Sequence, residues 1–117
     1  MLIETQSLKN RKVLVVGLAR SGLAAAGFLV RQEARVTVTD RKPEAELRPY
    51  LADLPDSVRR KLGGHDLEDF LNQDLLVLSP GVPLSIPEIE AARRRGIPVW
   101  SEIELACRFL SGTIIGV

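Results

Sequence analysis

The sequence predicts an α/β fold: a doubly wound parallel sheet of about five strands, with helices on both faces. Three observations predict it. Apolar segments of strand length alternate with segments of helical spacing along the chain. The strand segments are continuous apolar or β-branched runs, as expected for strands buried on both faces. The first of them stops at a glycine-spaced turn that leads straight into an apolar helix, VVGLARSGLAAAGFL at 15–29. A length of 117 residues fits one domain, and 45% hydrophobic residues suffice for one core.

Each element has its own signal. Residues 12–17 (KVLVVG) form the first strand, and 21–31 the first helix. Residues 35–40 (RVTVTD) are β-branched enough for a second strand. Leu47, Leu51, Leu54 and Val58 then recur at helical spacing, with Pro49 and Pro55 expected to break or bound that helix. A third strand is expected at 61–63. Asp66 is placed to cap a short helix carrying Leu67, Phe70 and Leu71. Residues 75–79 (LLVLS) give the fourth strand. Ser85 and Glu88 have the spacing of a capping box, starting a helix that stops at Gly96. Arg93, Arg94 and Arg95 fall in its last turn, where cations suit the helix dipole, so they read as a solvated helix end. Residues 98–100 make a short strand. Ser101 and Glu104 form a second capping box, opening a helix to about residue 110, and 113–117 (TIIGV) reads as one more strand.

In the usual doubly wound order the first and fourth strands are neighbours, and their following helices lie on opposite faces. Ligands bind in the crevice between them. The two most unusual loops fall there: GLARSG after strand one and SPGV (79–82) after strand four. Gly17 allows a tight turn, and Gly22 lets the helix pack close. The helix start offers unpaired N–H groups that suit phosphate. The spacing is that of G-x-G-x-x-G, but Ala19 occupies the middle place. Its methyl group pushes a pyrophosphate outward or admits a different ligand. Ser21 reads as a helix N-cap, with or without a ligand contact. Asp40 ends strand two, 23 residues after Gly17. Such an acid can bind ribose hydroxyls, accept from a nucleobase N–H, or cap the next turn. Arg41 and Lys42 pair with an anionic ligand or stay solvated. Ser79 can donate its hydroxyl to phosphate or simply end its strand. Pro80 stiffens that turn, and Gly81 permits close backbone approach or positive φ.

Several function classes are disfavoured. Sixteen basic and fifteen acidic residues leave a net charge of +1, which offers nucleic acid or an anionic membrane no attraction. No apolar run is long enough to cross a membrane, and the N-terminus lacks the apolar centre of a signal peptide. The single cysteine, Cys107, fits a reducing, cytoplasmic setting and is expected in the core of its helix. His65, the only histidine, has no second ligand for a metal site and is expected on a surface loop. Trp100 is expected to pack, and Glu102 and Glu104 to favour a helix start without a catalytic role. No G-x-x-x-x-G-K-[ST] motif is present to cradle ATP.

Together, VVGLARSGLAAAGFL, VTVTD, DLLVLSPGVPLSIPEIEAARRRGIPVWSEIELACRF and GTIIGV resemble the N-terminal domain of the Mur ligases, most closely the MurD family. That domain is Rossmann-like. The resemblance implies a UDP-substrate-binding domain at 1–112, with 113–117 as the first strand of a central ATPase domain whose P-loop would follow. It implies a protein that joins D-glutamate to UDP-N-acetylmuramoyl-L-alanine using ATP and magnesium, through an acyl-phosphate, in peptidoglycan synthesis. The ATP, magnesium and D-glutamate residues would lie beyond Val117, so no cofactor, metal or catalytic residue is expected within the chain itself. Carried over by position, Arg20 and Ser21 meet the diphosphate or uridine side. Asp40 and Arg41 meet the uracil, with the Asp40 carboxylate accepting from the base. Ser79 and Gly81 line the same crevice, while Gly17, Ala19, Gly22 and Pro80 shape the loops. The alternative from another class is an NAD(P)-binding domain of an oxidoreductase or regulatory protein. Its support is the glycine loop with Asp40; Ala19 speaks against it. A plain interaction module that only retains the fold is the third possibility.

Overall fold

The computed structural model describes residues 8–83 and 85–110, with side chains through 108. Among the described residues ten elements alternate strictly. They are β1 (Lys12–Val16), α1 (Arg20–Arg31), β2 (Arg35–Asp40), α2 (Glu44–Leu51), β3 (Arg59–Leu62), α3 (Leu67–Leu71), β4 (Leu75–Leu78), α4 (Pro87–Arg94), β5 (Val99–Ser101) and α5 (Glu102–Leu110). The five strands are all parallel, in the order β3-β2-β1-β4-β5. This is the doubly wound sheet expected, with β1 and β4 side by side. The strand expected at 113–117 lies outside the described residues.

Alternation along each strand divides the core into two. Val13 and Val15 of β1, Val36 and Val38 of β2, and Val77 of β4 face Ala25, Ala26 and Leu29 of α1, Leu47 of α2 and Leu105 of α5. Leu14 and Val16, with Leu76 and Leu78, face Phe70 of α3 and Ile89 and Ala92 of α4. All four β1 residues from Val13 to Val16 are fully buried. At about 25 cal/mol per Å² of apolar surface removed from water, such central strands are the main source of stability. The helices after β1 and β4 thus lie on opposite faces and open the crevice between their starts.

Several boundaries differ from expectation, each for a local reason. α1 begins at Arg20 and is capped by the backbone of Ala19, so Ser21 lies inside the helix rather than at its N-cap. Pro49 sits within α2 instead of breaking it; it forgoes the N–H bond to the Ala45 carbonyl, and the helix ends two residues later. α4 starts at Pro87 with Ile86 as N-cap and no side-chain cap, so Ser85 and Glu88 form no capping box. Proline at the first helical position has its φ set for helix and no amide to satisfy, so it starts the helix by itself. The other box is real: the Ser101 N–H donates to Glu104 Oε1 at 3.0 Å, and the Glu104 N–H donates to Ser101 Oγ at 3.0 Å. Asp66 caps α3 as expected, accepting from the Glu68 N–H at 3.3 Å. β3 is Arg59–Leu62, starting earlier than the expected 61–63. Cys107 is exposed on α5, not in the core. Trp100 packs against the α1-side core, with the Arg108 guanidinium carbon 4.3 Å from the ring centroid.

Candidate functional site

The C-terminal ends of β2, β1 and β4 lie in one row. The Gly17 N–H donates to the Thr39 carbonyl at 2.8 Å, and the Ser79 N–H donates to the Val16 carbonyl at 3.0 Å, continuing the sheet by one residue on each side. At that row the chain turns, with Gly17 at φ +96°. A Cβ on Gly17 would lie 2.9 Å from Val82 Cγ2, and one on Gly22 would lie 2.0 Å from the Gly17 carbonyl oxygen. The turn therefore requires glycine at both places, once for conformation and once for contact.

The peptide between Gly17 and Leu18 is held at both ends. Its carbonyl accepts from the Ser79 hydroxyl at 2.7 Å. Its N–H, that of Leu18, donates to Asp40 Oδ2 at 2.7 Å. The other Asp40 oxygen, Oδ1, accepts from the Lys42 N–H at 2.8 Å, closing the turn after β2. Asp40 thus ties two loops together while remaining at the cleft wall. Leu23 is the first α1 amide to reach a carbonyl of the turn, that of Ala19 at 2.8 Å. The amides before it form the open first turn, where anions are favoured.

A cleft of about 690 Å³ opens over this row. Its polar wall holds Gly17, Ala19, Asp40, Arg41, Lys42 and Ser79; its apolar wall holds Tyr50, Leu47, Val82 and Ile86. The volume suits a nucleotide-sized ligand. Of the site residues expected from sequence, Asp40, Arg41, Ser79 and Gly81 line it, as do Gly17 and Ala19. Arg20 and Ser21 are not among its lining residues. Arg20 is exposed, and Ser21 faces a groove between α1 and α5 instead. Gly22 is buried beneath the turn. Pro80 and Gly81 are the middle residues of a turn closed by the Val82 N–H donating to the Ser79 carbonyl at 3.1 Å. Gly81 does not have positive φ, and a Cβ there would meet open space, so its freedom is for approach and not for strain.

His65 is the residue that sequence placed wrongly. It lines the cleft and is half-buried. Its Nδ1 is hydrogen-bonded to the Thr39 hydroxyl at 2.9 Å, and its ring meets Phe70 edge-on at 5.4 Å. Burial holds its pKa below the ordinary histidine value; Glu88 and Asp40 oppose that shift, and Arg41 adds to it. The signal that could have found it is positional: it follows Gly63 and Gly64 just past the end of β3, on the edge where parallel sheets bind ligands. Glu102, expected only to favour the start of α5, also reaches the turn after β4. Its carboxyl lies 3.2 Å from Ser79 Oγ. Among the described residues no group of acids, histidines and cysteines is arranged to hold a metal ion.

Comparison with known proteins gives the family and the fold. The family model described as Mur ligase MurD-like, N-terminal domain, matches residues 11–101. A UDP-N-acetylmuramoylalanine--D-glutamate ligase of Anaeromyxobacter dehalogenans is 63% identical over 111 residues, covering 94% of this chain and 24% of the relative. The protein of the same name from Koribacter versatilis is 48% identical over the same share. The chain spans about a quarter of the length of the curated relatives it matches. A pseudomurein peptide ligase type C from Methanothermus fervidus superposes with a TM-score of 0.65 at 19% identity, over 82% of this chain and 20% of that one. That last likeness speaks for the fold alone.

Proposed function

The chain belongs to the MurD-like family of Mur ligase N-terminal domains, and from that premise we propose that its cleft binds the UDP portion of UDP-N-acetylmuramoyl-L-alanine. One observation carries the reading: the first turn of α1, Asp40 and the 79–82 turn converge on one cleft at the sheet's switch point. In this reading the diphosphate meets the open amides around Ala19 and Arg20, where the helix dipole favours negative charge. Arg41 and Lys42 add positive charge at the rim. The uracil lies toward Asp40, whose oxygens each keep a lone pair after holding Leu18 and Lys42. Ser79 serves by fastening the turn, since its hydroxyl already donates to Gly17. Ala19 keeps the diphosphate at the cleft mouth, away from the depth a dinucleotide requires.

The longer protein, in the same reading, is a cytoplasmic ligase that activates the muramoyl-alanine carboxyl with ATP and magnesium and joins it to D-glutamate. This chain supplies the grip on the nucleotide end and none of the acyl transfer. Titration of the ¹⁵N-labelled chain with UDP-N-acetylmuramoyl-L-alanine and, separately, with NAD tests it. Amide shifts at residues 17–22, 40–42 and 79–82 are expected with the UDP compound. Shifts at those residues with NAD alone would favour the oxidoreductase reading instead.

A further inference from the structure

Ser79 has one hydroxyl proton and two acceptors within reach. Its Oγ is 2.7 Å from the Gly17 carbonyl oxygen and 3.2 Å from Glu102 Oε2. Both cannot receive the proton fully. Ser79 is buried, and its own N–H and carbonyl are already used, so its hydroxyl has no other duty in the backbone network. We infer that Glu102, the first residue of α5, is a positioning residue for the glycine turn: its charge decides whether the Ser79 proton rests on the Gly17 carbonyl or turns toward α5.

The two states follow from donor and acceptor counting. A neutral Glu102 carboxyl donates its own proton to Ser79 Oγ, and the Ser79 proton stays on Gly17. An ionised carboxylate can only accept. A charge-assisted hydrogen bond is roughly twice as strong as a neutral one, so it draws the Ser79 proton away. The Gly17 carbonyl, packed beneath Gly22, then loses its donor. The Gly17–Leu18 peptide is left fastened only by Asp40 at its N–H end. The turn that offers amides to a ligand becomes looser.

The surroundings let one group control this balance. Glu102 packs into the groove between α1 and α5, beside Ser21, Ala24, Ala25, Phe28, Leu105 and Ala106, and is the titratable residue among them. The Ser79 hydroxyl is hydrogen-bonded to it, and the Ser21 hydroxyl lines the same groove. Asp40 approaches the same peptide from the opposite side, through Leu18. Burial raises the Glu102 carboxyl above its ordinary range, while the Ser79 hydrogen bond and the Ser21 hydroxyl act the other way. The neutral, tight state therefore persists to higher pH than an unperturbed glutamate would allow.

The test reads the Gly17 carbonyl carbon shift in the ligand-free chain from about pH 4 to about pH 7.5, with the Glu102 and Asp40 carboxyl carbons followed in parallel. A Gly17 step that coincides with the Glu102 titration is expected. Glu102→Gln presents a neutral amide that still donates to Ser79, so it should remove the step and hold Gly17 near its acid-side shift. Ser79→Ala should also remove the step while Glu102 continues to titrate. A flat Gly17 signal in the parent chain, or an unchanged step in either variant, overturns the inference. A second arm rests on the UDP reading above: at about pH 7.5, Glu102→Gln should bind UDP-N-acetylmuramoyl-L-alanine about three- to tenfold more tightly than the parent. Equal affinities overturn the positioning role. If neither chain binds the UDP compound but the Gly17 step behaves as expected, the proposed function fails and the inference stands.

Discussion

Gly22 lies closer to the binding edge than any side chain could. An added Cβ would sit 2.0 Å from the Gly17 carbonyl oxygen and 3.1 Å from Ser79 Oγ, and neither belongs to a flexible tip that could yield. Gly22→Ala is expected to destabilise the chain by about 3 kcal/mol and to abolish nucleotide binding, because relief requires moving the turn itself. Urea denaturation measures the first effect; a midpoint unchanged from the parent would refute it. His65 carries a second prediction. Burial depresses its pKa in the fold below the 6.5 of the free side chain. Between those two values the unfolded chain holds more proton than the folded one, so stability rises with pH across that window. The contribution is complete above about pH 6.5 and is lost as pH falls through the folded value. Urea midpoints at about pH 7.5 and about pH 5 should therefore fall less in His65→Gln than in the parent; an equal fall in both chains would remove His65 as the cause. Much of this site was legible residue by residue. Gly17, Gly22, Asp40 and Ser79 announced themselves through glycine spacing and strand ends. His65 and Glu102 did not, because their significance comes from Thr39 and Ser79, which are 26 and 23 residues away in sequence.

At the scale of elements, two segments share the S-x-x-E pattern and behave differently. At Ser101 the strand runs directly into α5, which places Ser101 at the N-cap with its backbone extended, so both reciprocal bonds form. At Ser85 the chain reaches Pro87 first, and the proline sets the helix start one residue too late for the box. Ser101→Ala should cost about 1 kcal/mol, and Ser85→Ala less than about 0.5 kcal/mol, in equilibrium unfolding. Equal costs would show that the pattern alone, rather than its backbone setting, carries the energy. The same contrast explains which elements could be read beforehand. β1, β2 and β4 are central and apolar, so their sequences declare them. β3 reads RRKL because it is an edge strand with two exposed and two half-buried residues, and burial pressure had written little into it. Pro49 misled in the opposite direction: proline removes one hydrogen bond from α2 without ending it, and the helix runs on to Leu51.

At the scale of the whole molecule, the cleft is built on the ends of the central, most buried strands. β1 lies in the middle of the sheet, flanked by β2 and β4, and all three deliver their C-terminal ends to the cleft. A ligand gripped there touches the centre of the cooperative unit, and its binding energy adds to global stability. With free ligand at a hundred times its dissociation constant, the gain is about 2.7 kcal/mol. For a domain of this size that corresponds to a rise in melting temperature of roughly 10 °C or more. UDP-N-acetylmuramoyl-L-alanine should produce that rise, and UDP alone most of it, since the proposed grip is on the nucleotide end. ATP should produce none, because the chain carries no G-x-x-x-x-G-K-[ST] loop. NADH is the discriminating control. A dinucleotide needs its pyrophosphate deep in the turn, where the Ala19 methyl stands in place of the middle glycine. Ala19→Gly should therefore leave stabilisation by the UDP compound within about threefold in affinity while opening the turn to NADH. If the parent chain is stabilised by NADH and not by the UDP compound, the cleft belongs to a dinucleotide and the ligase assignment of this site fails.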